Sequence, residues 1–206
     1  MSAQDFVRAA RASDAAALAR VQVECWRHGY AGIIPEAVLA ELTSDEAEAR
    51  WRERWEEAIT KPPTSRHRVL VAVTEPGPVP ADSPEAARED SGPAGRPPRV
   101  IAGFASAGPA GDPDRWPATD AELFELRIAP GFTGKGHGSR LLNAVADTLA
   151  EDRFTQVSAW VLEADTALRT FLESTGWATD GARSELDMGV RVPILRLHAL
   201  LSPAPG

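Results

Sequence analysis

The stretch GFTGKGHGSRLL, residues 131–142, holds three glycines that alternate with a lysine and a histidine, and a helix-like run follows at once. The first backbone N–H groups of a helix lack partners within the helix, and the helix dipole adds about half a positive charge there. Glycines let an anion approach the main chain closely. The stretch therefore predicts a loop whose main-chain amides bind a phosphate.

Apolar patterning on both sides of this loop predicts an α/β domain. Alternating or β-branched apolar runs indicate strands at residues 6–10, 67–74, 100–107, 121–129, 154–163, 177–187 and 190–200. Apolar residues at helical spacing indicate helices at residues 13–30, 33–42, 43–59, 139–152 and 165–176. Thr43 and Glu46 have the spacing of a capping box. Residues 75–99 are rich in Pro, Gly, Ala and acidic residues, so we expect a flexible hairpin insertion within a single domain of residues 1–206.

Composition excludes several classes of protein. The 206 residues carry a net charge of −8, which disfavours nucleic-acid binding and favours a cationic small-molecule partner. Cys25 is the only cysteine, so no internal disulfide can form. No apolar run reaches the roughly 20 residues of a membrane span, and the N-terminus lacks the apolar core of a signal peptide. We expect a cytoplasmic protein without membrane contact and without a metal site; the sequence is compatible with a homodimer.

Three kinds of phosphate-binding loop compete for the glycine stretch. A P-loop requires Ser or Thr after its Gly-Lys pair, whereas Gly136 follows Lys135 here, so no hydroxyl is placed for magnesium. A dinucleotide fingerprint spaces its glycines G-x-G-x-x-G, and here the third glycine comes one residue early. Glu163 does end the next strand, where a ribose-binding acid would lie, so a dinucleotide site stays open as an alternative.

The third kind is an acyl-CoA loop, and four segments of the chain resemble the GNAT superfamily of N-acetyltransferases. They are TGKGHG with the strand LFELRIAP before it, SRLLNAVADTL after it, VLEADTALRTFLESTGW, and VQVECWRHGYAGIIPEA near the N-terminus. The glycine motif alone is weak, but the four segments together cover nearly the whole chain in the family's order. The resemblance implies a GNAT fold: a mixed, mostly antiparallel sheet with helices on both faces and a splayed pair of parallel strands.

The resemblance also implies how acetyl-CoA binds. The pantetheine arm would lie in the gap between the splayed strands and pair with free backbone groups like an added strand. The loop amides would hold the pyrophosphate. The residues that the resemblance assigns to acetyl-CoA are Leu126, Arg127, Ile128, Thr133, Gly134, Lys135, Gly136, His137, Gly138, Ser139 and Asp165. Thr133 replaces the family's usual Arg or Gln, and we expect His137 to be either at the phosphate or exposed to solvent.

Direct attack by an amine on the thioester requires a base and a proton for the leaving thiolate. By resemblance, Glu122 is the first candidate base and Glu125 the second; strand alternation predicts that they lie on opposite faces. The family's usual tyrosine acid falls at Leu172, so Tyr30, the only tyrosine, is the remaining phenol. Trp26 and Tyr30 are candidates for the acceptor site.

We therefore predict an enzyme that transfers an acetyl group from acetyl-CoA to a primary amine of a small molecule within a ternary complex. The alternative is a catalytically weak protein that binds or senses acyl-CoA, because Leu172 stands where a tyrosine is usual.

Overall fold

The computed structural model describes residues 5–75 and 99–202. The predicted flexible insertion therefore lies, apart from its two end residues, outside the described part of the chain. The strands are β1 (Phe6–Ala9), β2 (Arg68–Thr74), β3 (Val100–Pro109), β4 (Asp120–Ile128), β5 (Gln156–Leu162), β6 (Ala178–Asp187) and β7 (Arg191–Leu200). The helices are α1 (Ala15–Gly29), α2 (Glu36–Leu42), α3 (Asp45–Thr60), α4 (His137–Glu151) and α5 (Thr166–Ser174). None of the helices within these ranges combines the length and the apolar character needed to span a membrane.

The seven strands form one mixed sheet in the order β1-β2-β3-β4-β5-β7-β6. All neighbouring strands run antiparallel except β4 and β5, which run parallel. β2 and β3, the strands on either side of the predicted insertion, pair antiparallel. The parallel pair is joined only from Asp120 to Glu122, opposite residues 156–158. Beyond Glu122 the two strands lose their pairing, which confirms the expected splayed pair.

Helices cover both faces of this sheet. On one face, Leu141 and Leu149 of α4 and Leu172 of α5 are fully buried in a core with residues of β3, β4 and β5. On the other face, α1 and α3 pack against β2 and β3, and the Trp55 ring lies edge-on to Phe104 with centroids 4.7 Å apart. Most of the apolar area is buried in these two layers, and this burial drives folding.

A bulge in β4 changes which side chains share a face. Ser106 of β3 lies opposite Glu125 and Ala107 lies opposite Leu123, so Phe124 has no partner of its own. One extra residue in a strand moves the following side chains to the other face. Glu122 and Glu125 therefore lie on the same face, and the prediction that they lie on opposite faces is wrong.

The start of α3 differs by one residue from the predicted capping box. Ser44 is the N-cap, and its hydroxyl accepts a hydrogen bond from the Ala47 N–H at 3.1 Å. Thr43 instead donates its hydroxyl to the carbonyl of Leu39, 2.8 Å away, at the end of α2. Thr and Ser are both good N-caps, so their chemistry does not distinguish them. Because Thr43 bonds back to the end of α2, Ser44 is the residue that caps α3.

Candidate functional site

The gap between β4 and β5 exposes main-chain groups of β4. The N–H of Ala129 donates to the carbonyl of Ala102 at 2.9 Å, so this residue directs its backbone groups toward β3. Backbone groups alternate in direction along a strand, and pairing is regular from Glu125 to Ile128. The N–H and C=O groups of Leu126 and Ile128 therefore point into the gap, where an extended ligand can pair with them.

The glycine loop opens directly onto this gap. Gly134 and Gly136 have φ angles of +71° and +81°, a left-handed conformation that side chains disfavour. Gly136 precedes the first residue of α4, so the loop leads straight into the unpaired amides of that helix. Gly138 is close to α5: a Cβ there would lie 3.3 Å from the Phe171 ring. The three glycines therefore keep the start of α4 open to an anion.

A cleft of about 650 Å³ joins the gap to the loop, and we call it the glycine-loop cleft. Nine of the eleven residues assigned to acetyl-CoA line it: Leu126, Arg127, Ile128, Thr133, Gly134, Gly136, Gly138, Ser139 and Asp165. Asp165 also accepts a hydrogen bond from the Leu168 N–H at 3.0 Å, so it is the N-cap of α5.

Lys135 and His137, the other two assigned residues, do not line the cleft. The Lys135 ammonium donates to the carbonyl of Gly131 at 2.8 Å and lies over the Phe132 ring. His137 is only 2% exposed and meets Phe132 edge-on, so the expectation of a solvent-exposed imidazole is wrong. Burial lowers the pKa of His137, which favours the neutral ring. The buried His137 ring is therefore closed to a ligand in the cleft, and the Lys135 ammonium is held against the loop by one of its three donors.

A second cavity of about 230 Å³ continues from the cleft, and we call it the inner cavity. The two share Tyr30, Leu126, Arg127 and Leu168. Trp26 also lines the inner cavity, with its ring centroid 5.7 Å from that of Tyr30. A ligand in the glycine-loop cleft and a ligand in the inner cavity would therefore both reach Tyr30.

Three polar side chains cluster at this junction. The carboxylate of Glu125 lies 2.8 Å from the guanidinium of Arg127, and that guanidinium lies over the Tyr30 ring, 5.4 Å from its centroid. Burial raises the pKa of Tyr30, so its phenol stays protonated at neutral pH. Burial alone would lower the pKa of Arg127, but the charge of Glu125 together with the smaller effects of Tyr30 and Cys25 outweighs burial, so that pKa is raised. The cluster thus combines a protonated phenol, a carboxylate and a permanent cation.

Glu122 lies outside both cavities, although it shares a face with Glu125. Its carboxylate accepts from the Gly111 N–H at 3.4 Å, beneath the loop that joins β3 to β4. Burial raises the pKa of Glu122 above its ordinary value. The structure therefore brings Glu125, Tyr30 and Arg127 together and leaves Glu122 apart from them.

A network of ion pairs and hydrogen bonds, which the sequence analysis did not predict, holds one wall of the inner cavity. Trp160, which lines that cavity, donates its indole N–H to Asp112 at 2.8 Å. Arg196 donates to the same carboxylate at 2.8 Å and also pairs with Asp114 and Asp180. Arg196 occupies a polar position in the alternating strand ILRLHAL, which was the only sequence signal for it. The network ties the loop after β3 to β7 behind the indole.

Two further residues, one in each cavity, have side chains with limited chemistry. Leu172 lines the inner cavity and is fully buried, and its aliphatic side chain has no proton to donate. Cys25 donates its thiol to the carbonyl of Ile128 at 3.1 Å, and burial raises its pKa to about 11. Among the described residues, no three His, Cys, Asp or Glu side chains are grouped so that they could hold a metal ion.

Comparisons with known proteins agree with this geometry. The model of the acetyltransferase (GNAT) family matches residues 39–177. The uncharacterized N-acetyltransferase YuaI of Bacillus subtilis strain 168 is 28% identical over 157 residues, covering 76% of this chain and 71% of its own.

Solved structures share the fold at lower identity. PaiA N-acetyltransferase from Thermoplasma acidophilum, in complex with coenzyme A, superposes with a TM-score of 0.56 at 19% identity, over 94% of this chain and 98% of its own. YncA from Salmonella typhimurium, with its cofactor acetyl-CoA, gives 0.61 at 17% identity, over 96% and 94%. At these identities the superpositions establish the fold, and the family model establishes membership. The chain belongs to the GNAT family of acetyltransferases.

Proposed function

We propose that this protein transfers an acetyl group from acetyl-CoA to a primary amine of a small molecule, with both substrates bound at once. The observation that carries the proposal is the splayed gap between β4 and β5, which runs into the left-handed glycine loop. The structures of PaiA and YncA, which have the same fold, contain coenzyme A or acetyl-CoA. The gap and loop offer main-chain donors and acceptors in the order in which that molecule presents its pantetheine and pyrophosphate.

The residues of the glycine-loop cleft fit this ligand. The backbone groups of Leu126 and Ile128 would pair with the amides of the pantetheine arm. The amides at the start of α4, from His137 to Ser139, would hold the pyrophosphate. At Gly138 an added Cβ would lie 3.3 Å from the Phe171 ring. A side chain there would narrow the site proposed for the phosphate. An N–H directed at the thioester oxygen would also stabilise the oxyanion that forms during attack.

Acetyl-CoA supplies an activated acetyl group: the amine nitrogen bonds to the carbonyl carbon, the C–S bond breaks, and the thiolate takes up a proton. The amine arrives as an ammonium ion and must lose a proton before it can attack. In the overall reaction the ammonium nitrogen loses two protons; the thiol gains one proton, and one proton is released to bulk solvent. No covalent bond to the protein is needed, which agrees with a Cys25 thiol whose raised pKa keeps it protonated.

Glu125 is the base in this proposal, because it lines the inner cavity whereas Glu122 does not. It receives the proton of the incoming ammonium, and the adjacent Arg127 holds the carboxylate in place. Tyr30, protonated and at the junction of the two cavities, donates the proton to the thiolate in place of the tyrosine that Leu172 replaces. Its phenol is later reprotonated from solvent.

The proposal is tested by measuring acetyl-CoA binding by calorimetry and free thiol release in the presence of a panel of primary amines. We expect binding in the wild type, weakened binding in Gly138→Val, and little change in Gly131→Ala, where the added Cβ meets open space. Thiol release that requires both an amine and the protein supports the transferase. Binding without turnover on any amine would instead support the acyl-CoA sensor, and no binding would refute both.

A further inference from the structure

The inner cavity is apolar wherever it is not shared with the glycine-loop cleft. Outside the four shared residues, every side chain that lines it is aliphatic or aromatic except Glu125. Trp26 and Trp160 supply aromatic surface, and Met188 and Ile194, near the turn between β6 and β7, supply aliphatic surface. Ligand sites with few polar groups fix the position of one polar atom and bury an apolar body.

The two charged groups of the inner cavity neutralise each other. Glu125 and Arg127 form an ion pair at 2.8 Å, so the lining carries no net charge. Asp112, which lies behind the Trp160 wall, already accepts from Trp160 and from Arg196. An incoming ammonium can share the Glu125 carboxylate, but a second ammonium on the same ligand finds no free carboxylate among the residues that line the cavity. Burying that second charge without a partner is unfavourable.

Exposed apolar side chains mark the same cavity. Of the five large hydrophobic residues that are exposed in the described part of the chain, Phe124 and Leu186 line the inner cavity. Phe124 is the residue that the bulge in β4 leaves unpaired, and its ring stacks on His67 while remaining partly exposed. Leu186 lies opposite Val192 in the β6–β7 hairpin. Exposed apolar surface at the rim of an apolar cavity is typical of a site that an apolar ligand covers.

From these observations, and resting on the proposed acetyl transfer, we infer that the acceptor is a monoamine whose single ammonium pairs with Glu125 and whose apolar body contacts Trp160, Met188 and Leu186. The body is an aromatic ring or a short branched aliphatic chain. Polyamines and aminoglycosides, which carry several ammonium groups, are excluded. The net negative charge of the whole chain favours a cationic partner. The lining of the inner cavity, however, carries no net charge, and this limits the acceptor to a single ammonium group.

The size of the cavity narrows this class further. Its volume of about 230 Å³ is below the roughly 300–1,000 Å³ typical of sites for drug-sized ligands. A single ring with a two-carbon linker to the amine matches this space, whereas a peptide segment does not. The amine of such a ligand reaches Glu125 while its ring lies against the indole of Trp160.

The test compares 2-phenylethylamine and 3-methylbutylamine with putrescine and spermidine, using two readouts on the full chain. The first is kcat/KM for thiol release at saturating acetyl-CoA; the second is the affinity of each amine for the protein saturated with coenzyme A, by calorimetry. We expect the two monoamines to exceed the polyamines about tenfold or more in each readout, the range that apolar contacts give in discrimination between substrates. Equal or reversed preference in binding overturns the inference, and so does equal or reversed preference in turnover when any of the four amines is acetylated.

A matched pair of variants locates the effect. Leu186→Asp places a carboxylate at the rim of the cavity, and Leu200→Asp places one on an exposed strand residue outside it. We expect Leu186→Asp to weaken binding of 2-phenylethylamine about tenfold and to narrow the gap to putrescine, while Leu200→Asp leaves both unchanged. Similar effects of the two variants overturn the inference. If monoamines bind preferentially but none is acetylated, the proposed transferase fails while the selectivity of the cavity stands.

Discussion

Replacement of Glu125 by Gln separates its chemical role from its structural one. The Glu125 and Arg127 side chains are only 21% and 14% exposed, so the variant leaves a largely buried guanidinium without its counter-charge. Breaking a fully buried pair costs about 3–5 kcal/mol. The glutamine carbonyl can still accept from Arg127 and some solvent reaches the pair, so we expect a loss of about 2 kcal/mol in the free energy of unfolding. For a domain of this size, that corresponds to a fall in Tm of about 4–8 °C.

The rate should fall far more than stability explains. Loss of a positioned general base typically costs about a hundredfold to ten-thousandfold, so we expect kcat for thiol release to fall at least about a hundredfold. The glycine-loop cleft is formed by other groups, so the affinity for acetyl-CoA should remain within about twofold of the wild type. Calorimetry at a temperature well below Tm confirms that the variant is folded and binds the co-substrate.

Two further variants complete the comparison. Glu122→Gln changes the other candidate base, which lies outside both cavities, and should leave kcat within about threefold of the wild type. Glu125→Gln combined with Arg127→Met removes both charges of the pair, so it should regain Tm but not activity. The reasoning is refuted if Glu122→Gln abolishes turnover while Glu125→Gln retains it, or if the double variant recovers both properties.

Other substitutions and reagents probe the loop, the thiol and the buried arginine. Gly136→Ala, at φ +81°, should lower the free energy of unfolding by about 1–2 kcal/mol in chemical denaturation, whereas Gly131→Ala, with neither positive φ nor a close neighbour, should change it little. The Cys25 thiol has a pKa of about 11, so about one molecule in a thousand is ionised at pH 8. The rate of its alkylation should therefore rise about tenfold per pH unit up to pH 10. A rate that levels off near pH 8 contradicts this expectation. Arg196→Met should lower Tm at pH 7. The hydrogen bond from Arg196 lowers the pKa of Asp114 to about 2, below its unfolded value of 3.8. The stabilisation from this pair is therefore present above about pH 4 and is lost as the pH falls toward 2. The difference in Tm between wild type and variant should shrink over the same range.

The features that sequence predicted correctly are those that depend on local backbone chemistry. The glycine loop was predicted between a strand and a helix, and Gly134 and Gly136 in that loop have the left-handed φ angles that favour glycine. Strand and helix periodicities predicted the individual elements, and the resemblance to the GNAT superfamily implied the sheet with helices on both faces. The order of the four segments then identified the family, because it encodes the connectivity of the splayed strands.

The features that sequence missed depend on contacts between distant residues. A bulge at Phe124 leaves no mark in the pattern LFELRIA, yet one unpaired residue moves Glu125 to the face of Tyr30 and makes it a candidate base. His137 is buried because the Phe132 ring happens to cover it, and nothing in the glycine motif encodes that contact. The acids that Arg196 binds lie 16 to 84 positions away in the chain, beyond the reach of any local pattern.

In the proposed mechanism Tyr30 takes the role of the acid while the fold stays the same. A side chain at position 172 reaches the gap between β4 and β5 from beneath, through α5, and Leu172 there is now part of the core. Tyr30, just after α1, reaches the same gap from the opposite face and lines both cavities. The gap is open to both layers because the parallel strands part after Glu122. What a proton donor needs is closeness to the gap, and several positions in the chain can provide it. Burial on the α1 side raises the pKa of Tyr30 and keeps its phenol protonated, as the proposed role requires.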